Sequence, residues 1–394
     1  MAINTIENSI VKSREVKILH VINIFFSLSY LGNQFKYFSE KGYKQHLVCS
    51  FSPYIKEYIK AQSIEYKEVK IIRKVNPLKD INAIYKICRY ILRNRINIVI
   101  GHTPKAAFLA IISAFVTRVP KRIYFRHGLF YETLHGFPRL LMINIDRFTA
   151  LCATQVVCVS TYVAERSISD KLFSKNKQII LGKGTCGGID ALGKFNPYLV
   201  DNKMVEILRE SLGINENDFV VGFCGRLTKD KGIIDLVMAF NLLNKRLPQA
   251  RIKLLLLGDF DERDYLPQSI IDEIKCNANI IHTGFIYNSI ENYYSLMNVF
   301  VLPSYREGFG MATLEAASME LPVLTTNITG CKDAIQDGIT GFYISNTPDG
   351  ITSGILRIIN DPKPKYYGIN GRKMVLQFFD NTILWPIIER ELYS

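Results

Sequence analysis

Short, nearly uninterrupted apolar runs alternate with longer helical patterns along this chain. The first series comprises VKILHVIN (16–23), QHLVCS (45–50), INIVIG (96–101), KRIYFR (121–126), QVVCVS (155–160) and QIILG (178–182). Apolar runs without strict alternation predict strands of a parallel sheet that helices cover on both faces. After a stretch containing Gly and Asn the series restarts with DFVVGFC (218–224), RIKLLLL (251–257), NIIHT (279–283), VFVLP (299–303), LPVLTT (321–326) and GFYIS (341–345). Two successive βα series predict an α/β chain of two doubly wound, Rossmann-like domains facing across a cleft, with a linker near 188–215. The boundaries this implies are 1–190 for the first domain and 191–375 for the second. Residues 376–394 form a C-terminal helix, interrupted by Pro386, that bends and packs back on the first domain.

Composition narrows the setting. With 394 residues and 48% apolar content the chain can build two real cores. Its eight cysteines are scattered, without C-x-x-C or paired Cys/His spacing, so neither a zinc site nor a disulfide framework is expected and a reducing cytoplasm fits. The opening MAINTIENSIVKSREVK lacks the apolar stretch of a secretory signal, and AAFLAIISAFV (106–116) is too short to span a bilayer. Charge is uneven. Residues 1–190 hold 29 Lys and Arg against 12 Asp and Glu, whereas residues 191–394 hold 20 against 24. The first half should therefore face an anionic surface, a membrane leaflet, a polyphosphate or a nucleic acid.

Two constellations carry chemistry. From Leu302 to Phe342 a strand ends at Pro303, Glu307 lies in a Gly-containing turn, and MATLEAASM begins a helix. A helix N-terminus offers unpaired amides and a positive dipole end to a phosphate, and Gly308 and Gly310 allow a ligand near the backbone. Glu307 and Glu315 would lie roughly 12 Å apart on a helix, too far for the ~5 Å carboxylate pair of a retaining glycosidase. They fit two parts of one long ligand, or a helix cap and a solvated surface group. In VGFCGRLTKDKGIIDLVMAF a strand runs into Gly225-Arg226, and Lys231-Gly232 opens an amphipathic helix. Prepositioned cations at such a turn would stabilise a departing diphosphate more in the transition state than in the ground state. The bland reading is two surface cations.

Together, G-R-x-x-x-x-K-G and E-x7-E resemble the retaining nucleotide-sugar glycosyltransferases of family 4, which have the GT-B architecture. LLLLGDFDERD, HTGFIYN and GKGTCGGIDALGKFNP strengthen the likeness, and HTPKAAFLA, RHGLFYE and LPSYREGFG point to members that build capsule, O-antigen or lipid-linked oligosaccharide. The resemblance implies that Gly225, Arg226 and Lys231 serve the donor phosphates. It assigns the donor sugar to Glu307 with the Gly308, Phe309, Gly310 and Met311 segment, and the ribose to Glu315. It also implies that His127 faces the reacting sugar from the first domain. The expected donor is a nucleotide sugar, UDP-linked, and the acceptor a polyprenyl-diphosphate-linked glycan at the cytoplasmic membrane surface, with no metal and no nucleic acid partner. The first loop departs from the family's Gly-rich pattern, since HVINIFFSLSYLGNQ holds only Gly32.

Other signals stay open. Thr103, Pro104 and Lys105 fit an acceptor-diphosphate site or a plain capped core helix. In KDINAIYKICRYILRNR, Ile81, Ile84, Tyr85, Cys88, Ile91 and Leu92 recur at helical spacing, with Lys86, Arg89 and Arg93 on another stripe that fits either an anionic membrane or solvent. Asp259-Phe260-Asp261 spells D-x-D but reads better as a turn, and GKGT lacks P-loop spacing. The rival functions are a nucleotide-sugar epimerase of similar architecture and a silent lipid- or glycan-binding relative.

Overall fold

The computed structural model describes residues 15–72, 75–261 and 264–394. The opening polar run up to Arg14, and Glu262-Arg263 of the LLLLGDFDERD loop, lie outside the described residues.

The first sheet contains β1 (Lys17–Val21), β2 (Lys44–Cys49), β3 (Glu65–Glu68), β4 (Ile98–His102), β5 (Lys121–Arg126), β6 (Gln155–Cys158) and β7 (Gln178–Ile179), in the order β3-β2-β1-β4-β5-β6-β7. The second contains β8 (Phe219–Cys224), β9 (Ile252–Leu257), β10 (Ile280–His282), β11 (Val299–Leu302), β12 (Val323–Thr326) and β13 (Gly341–Ile344), in the order β10-β9-β8-β11-β12-β13. Strand pairing is parallel throughout both sheets. Each order reverses beside the first strand of its sheet. Ligands bind at such a switch point in open α/β sheets, beyond the carboxyl ends of the strands.

The apolar runs became strands, most of them buried on both faces, with the short β7 and β10 only half-buried. Leu19, Val99, Val221 and Leu255 have no exposed surface. The sequence reading missed β3, EYKE, an edge strand whose side chains are mostly exposed and therefore carry no apolar signature.

The chain crosses between the domains beside the linker. Ile189 donates to the Phe379 carbonyl and accepts from Asn381, and Asp380 accepts from Ala191 while capping the next helix, Asn381–Ile388. The C-terminal segment bends at Phe379-Asp380, not at Pro386, which sits inside that helix. Beyond the bend it lies on the first domain: Trp385 packs on Tyr37, Tyr393 packs on Phe38, and Glu389 pairs with Lys41 and Tyr43.

Helix Pro77–Asn94 begins at Asn76, whose side chain accepts from the Lys79 amide, with Pro77 at the first helical position. It buries Ala83, Ile87 and Ile91. Of the stripe singled out in the sequence, Ile91 is buried and Ile84 and Cys88 are half-buried, whereas Ile81, Tyr85 and Leu92 are exposed and point away from the core, as do Lys86, Arg89 and Arg93. Packed in succession beside it are helices Pro104–Val116 and Gly136–Cys152. The latter exposes Phe137, Leu140, Leu141, Phe148 and Leu151, a second outward apolar stripe at helical spacing. Among the described residues no helix is long and apolar enough to cross a membrane.

Candidate active site

The site is built from loops at the carboxyl ends of the strands. β8 leads through Gly225 and Arg226 to Lys231 and Gly232, and Gly232 opens helix Ile233–Arg246. Gly232 has φ +72°, and a methyl built on it would lie 2.1 Å from the Pro303 carbonyl oxygen. Only glycine fits both demands. This contact presses the Lys231 turn against the loop after β11, and the Tyr305 amide donates to the Asp230 carbonyl across the same seam.

That seam brings the two constellations together. The Lys231 ammonium pairs with Oε1 of Glu307, which also accepts from the Ser304 hydroxyl at 2.9 Å. The lysine and glutamate side chains are 16% and 10% exposed, so the pair is largely withdrawn from water. Glu307 is thus no helix cap. The cap position of helix Met311–Ser318 belongs to Gly310.

Arg226 lies on the rim, where its guanidinium bonds Asp261 at 2.9 Å and approaches Asp230 at 3.6 Å. Arg306, unremarked in the sequence reading, reaches Asp230 at 3.3 Å. Burial pushes the Asp230 carboxyl up, but the Thr228 hydroxyl, Arg226, Lys231 and Arg306 outweigh that and hold it below the usual range. The D-x-D carboxylates serve the protein, Asp261 on Arg226 and Asp259 on the Phe285 amide.

Glu315 accepts from the buried Tyr294 hydroxyl at 2.8 Å. Burial raises its carboxyl above the ordinary value, against the opposing pull of Tyr294 and Lys194. It is not a solvated surface glutamate.

The segment between the two glutamates touches the other domain. A methyl on Gly308 would lie 1.8 Å from the His127 carbonyl oxygen, so the domains meet there backbone to backbone. Phe309 is buried against Phe379, leaving its backbone rather than its ring at the cleft. Met311 Sδ meets the Thr185 hydroxyl of the linker at 3.4 Å. Of the amides read as ligand donors, Gly310 already donates to the Gly330 carbonyl and Met311 to Phe309.

On the first-domain side, His127 follows β5. Its Nε2 lies 3.0 Å from Nδ1 of His102 and its Nδ1 lies 3.4 Å from Cys186 Sγ. Burial lowers the imidazole to about 4, so the ring is neutral at physiological pH. Two neighbouring expectations change. Thr103 precedes helix Pro104–Val116, but its hydroxyl turns to Asn23 and caps nothing. Lys105 pairs with Asp80, both side chains largely buried, so an acceptor diphosphate there would compete with that carboxylate.

Two facing parallel-sheet domains with cations, a glutamate turn and a histidine at their shared edge make up a GT-B architecture. Comparison with known proteins agrees. The pattern "Glycosyl transferases group 1" matches residues 204–374, and "Glycosyl transferase 4-like" matches residues 17–160. The chain is 32% identical over 377 residues to the capsular polysaccharide biosynthesis glycosyltransferase CapM of Staphylococcus aureus, covering 95% of this chain and 96% of CapM. It is 24% identical over 351 residues to an Escherichia coli UDP-Gal:alpha-D-GlcNAc-diphosphoundecaprenol alpha-1,3-galactosyltransferase, covering 88% of each. In fold it resembles a Rickettsia africae glycosyltransferase, with a TM-score of 0.77 at 20% identity over 97% of this chain and 99% of that one. The Anabaena protein HepE in complex with UDP and glucose aligns with a TM-score of 0.78 at 19% identity, over 96% of this chain and 100% of HepE. The protein belongs to the family 4 glycosyltransferases.

Proposed function

We propose that this enzyme moves a hexose or N-acetylhexosamine from a UDP-sugar to a hydroxyl of a polyprenyl-diphosphate-linked glycan, with retention of configuration, during assembly of a capsule or similar surface polysaccharide. The observation that carries the reading is the junction of Lys231 with Glu307, opposite His127. A lysine suited to a phosphate and a glutamate suited to a sugar stand side by side there, and the glutamate's loop touches the other domain, which supports the reading. The capsular role of CapM and the lipid-linked acceptor of the E. coli relative support the pathway and the acceptor class.

In this reading Arg226 and Lys231 hold the donor diphosphate. As the bond to the sugar breaks, the leaving phosphate gains charge, and cations already in place stabilise it without reorganising. Glu307 and the Gly308–Phe309 backbone hold the donor sugar, and Glu315 takes the ribose hydroxyls. The acceptor hydroxyl attacks from the face the leaving group departs, and the departing phosphate takes its proton. No metal is needed, because the two cations do the charge work.

The first domain, with the cationic surplus, would face the anionic cytoplasmic leaflet that carries the acceptor. The outward apolar stripes of helices Pro77–Asn94 and Gly136–Cys152, flanked by Lys86, Arg89 and Arg93, support that orientation.

The test is a donor panel with polyprenyl-diphosphate sugars, with and without chelator. An extended lipid-linked product in both conditions is expected. Failure of every nucleotide sugar to bind in calorimetry rejects the reading.

A further inference from the structure

Three adjacent strands of the first sheet, β1, β4 and β5, each carry a histidine at or just past the carboxyl end: His20, His102 and His127. His20 and His102 are 1% and 2% exposed. Their rings stand in a row, with centroids 5.2 Å apart for His20–His102 and 5.3 Å for His102–His127. The nitrogens meet in order: His20 Nδ1 to His102 Nε2 at 3.0 Å, then His102 Nδ1 to His127 Nε2 at 3.0 Å. At the far end, His20 Nε2 lies 3.4 Å from the hydroxyl of Tyr393, and that hydroxyl accepts from Gln34 Nε2 at 3.3 Å. At the near end, His127 Nδ1 lies 3.4 Å from Cys186 Sγ.

A neutral imidazole has one donor nitrogen and one acceptor nitrogen, so in such a row the first bond sets every later one. The Gln34 amide donates to Tyr393, which leaves the tyrosine's own proton for His20 Nε2. With the tyrosine's proton placed there, His20 donates from Nδ1, His102 likewise, and His127 accepts at Nε2 and carries its proton on Nδ1, toward Cys186. With Tyr393 donating to His20, a charged ring anywhere in the row would set an N–H against another donor. Burial accordingly lowers His20 to about 3, lowers His127 to about 4, and lowers His102 in the same direction.

We infer that Gln34, Tyr393, His20 and His102 form one head-to-tail hydrogen-bond chain that holds the His127 imidazole at the cleft in its neutral Nδ1–H form. Tyr393, His20 and His102 are thereby positioning residues for the sugar transfer. The inference rests on the transferase reading above for what His127 faces, but not for the chain itself. Its consequence is that the far C-terminus takes part in the site. Tyr393 arrives on the segment that crosses back from the second domain and docks through Trp385 and Glu389. The orientation of His127 thus depends on a docked tail.

The test uses the full chain labelled with 15N-histidine. Long-range proton–nitrogen spectra at neutral pH should show His20, His102 and His127 neutral and protonated on Nδ1. Protonation on Nε2, or a charged ring, overturns the chain. Tyr393→Phe keeps the ring and removes the donor. It should shift the His20 and His127 nitrogen resonances and lower kcat about 5- to 20-fold with the donor KM nearly unchanged. His102→Asn can still donate to His127 Nε2, and should keep activity within about 3-fold, whereas the similarly sized apolar His102→Leu should lose about 30-fold or more. Equal activity of the Asn and Leu variants, or a Tyr393→Phe spectrum and kcat identical to the parent, overturns the positioning role. If the tautomers are as stated but no nucleotide sugar binds, the transferase reading fails and the chain stands.

Discussion

Lys231 and Glu307 lie 76 positions apart, on loops after different strands, yet they form an ion pair whose carboxylate is also bonded by Ser304. Gly232, directly after the lysine, is held against the carbonyl of Pro303, four residues before the glutamate. The two halves of the proposed donor site are therefore one packed unit.

Replacing Lys231 with Ala should damage both activity and stability. Glu307 would keep the Ser304 bond but lose its counter-charge, costing about 2 kcal/mol, less than the 3–5 typical of a fully buried pair. Loss of a transition-state cation should lower kcat/KM by about 100-fold or more. Denaturant melts and steady-state rates on the same preparation separate the two effects. An active, equally stable variant would remove Lys231 from the site.

Gly232→Ala and Gly308→Ala should fail differently. At Gly232 the added methyl meets Pro303 within the second domain at a positive φ, so Tm should fall. At Gly308 the methyl meets His127 across the domain boundary, so the domains should separate with little change in melting. Small-angle scattering should show a larger radius of gyration for Gly308→Ala alone, with kcat reduced.

Glu315 is bonded to buried Tyr294, away from the Lys231–Glu307 pair. Glu315→Gln should raise the donor KM about 10-fold and change kcat less, as expected for ground-state binding shared with the transition state. A selective loss of kcat would instead put Glu315 at the reacting bond.

Acid should destabilise the fold through the histidine row. An imidazole lowered from 6.5 to about 4, as at His127, or to about 3, as at His20, stays neutral in the native state while the unfolded chain takes up protons below pH 6.5. Stability is therefore full above pH 6.5 and is lost as pH falls toward the native values, by up to about 1.4 kcal/mol per pH unit for each ring. Glu315 and Asp333, raised by burial, work the other way, against four lowered imidazoles, His20, His46, His102 and His127. Melting curves between neutral pH and pH 5 should show the decline, and His102→Leu should flatten it. A flat parent curve would contradict the neutral row.

Vesicle binding should divide into two parts. Lys86, Arg89 and Arg93 changed together to Gln should remove a salt-sensitive part of about 1 kcal/mol per cation on anionic vesicles. Phe137→Ser with Leu151→Ser should remove a salt-resistant part without lowering Tm, since both side chains are already exposed. Unchanged flotation of both variants would reject the membrane-facing orientation.

Much of the fold was legible because a strand buried on both faces must be apolar along its length. That pattern failed at β3, where Glu65 to Glu68 form an edge and need no apolar face. It also misled at helix Pro77–Asn94, where periodicity finds apolar stripes but cannot say which one meets the sheet. Lys105 looked available until folding brought Asp80 to it from another helix. Nothing in the local pattern sets His20 or His102 apart from ordinary strand residues. Their common signal was position, each at the carboxyl end of a predicted strand, but strand order is needed to make them neighbours.

The sequence by itself determined the two βα series, the glycine-bounded turns and the residue types at the proposed donor site, because these follow from local periodicity, backbone freedom and spacing within one loop. Only the tertiary structure decided that Lys231 would reach Glu307, that Gly308 would meet His127, and that Tyr393 would join His20 and His102. Each of these depends on chain segments brought together by sheet order and by the crossing at Ile189 and Asp380, contacts that no local pattern encodes.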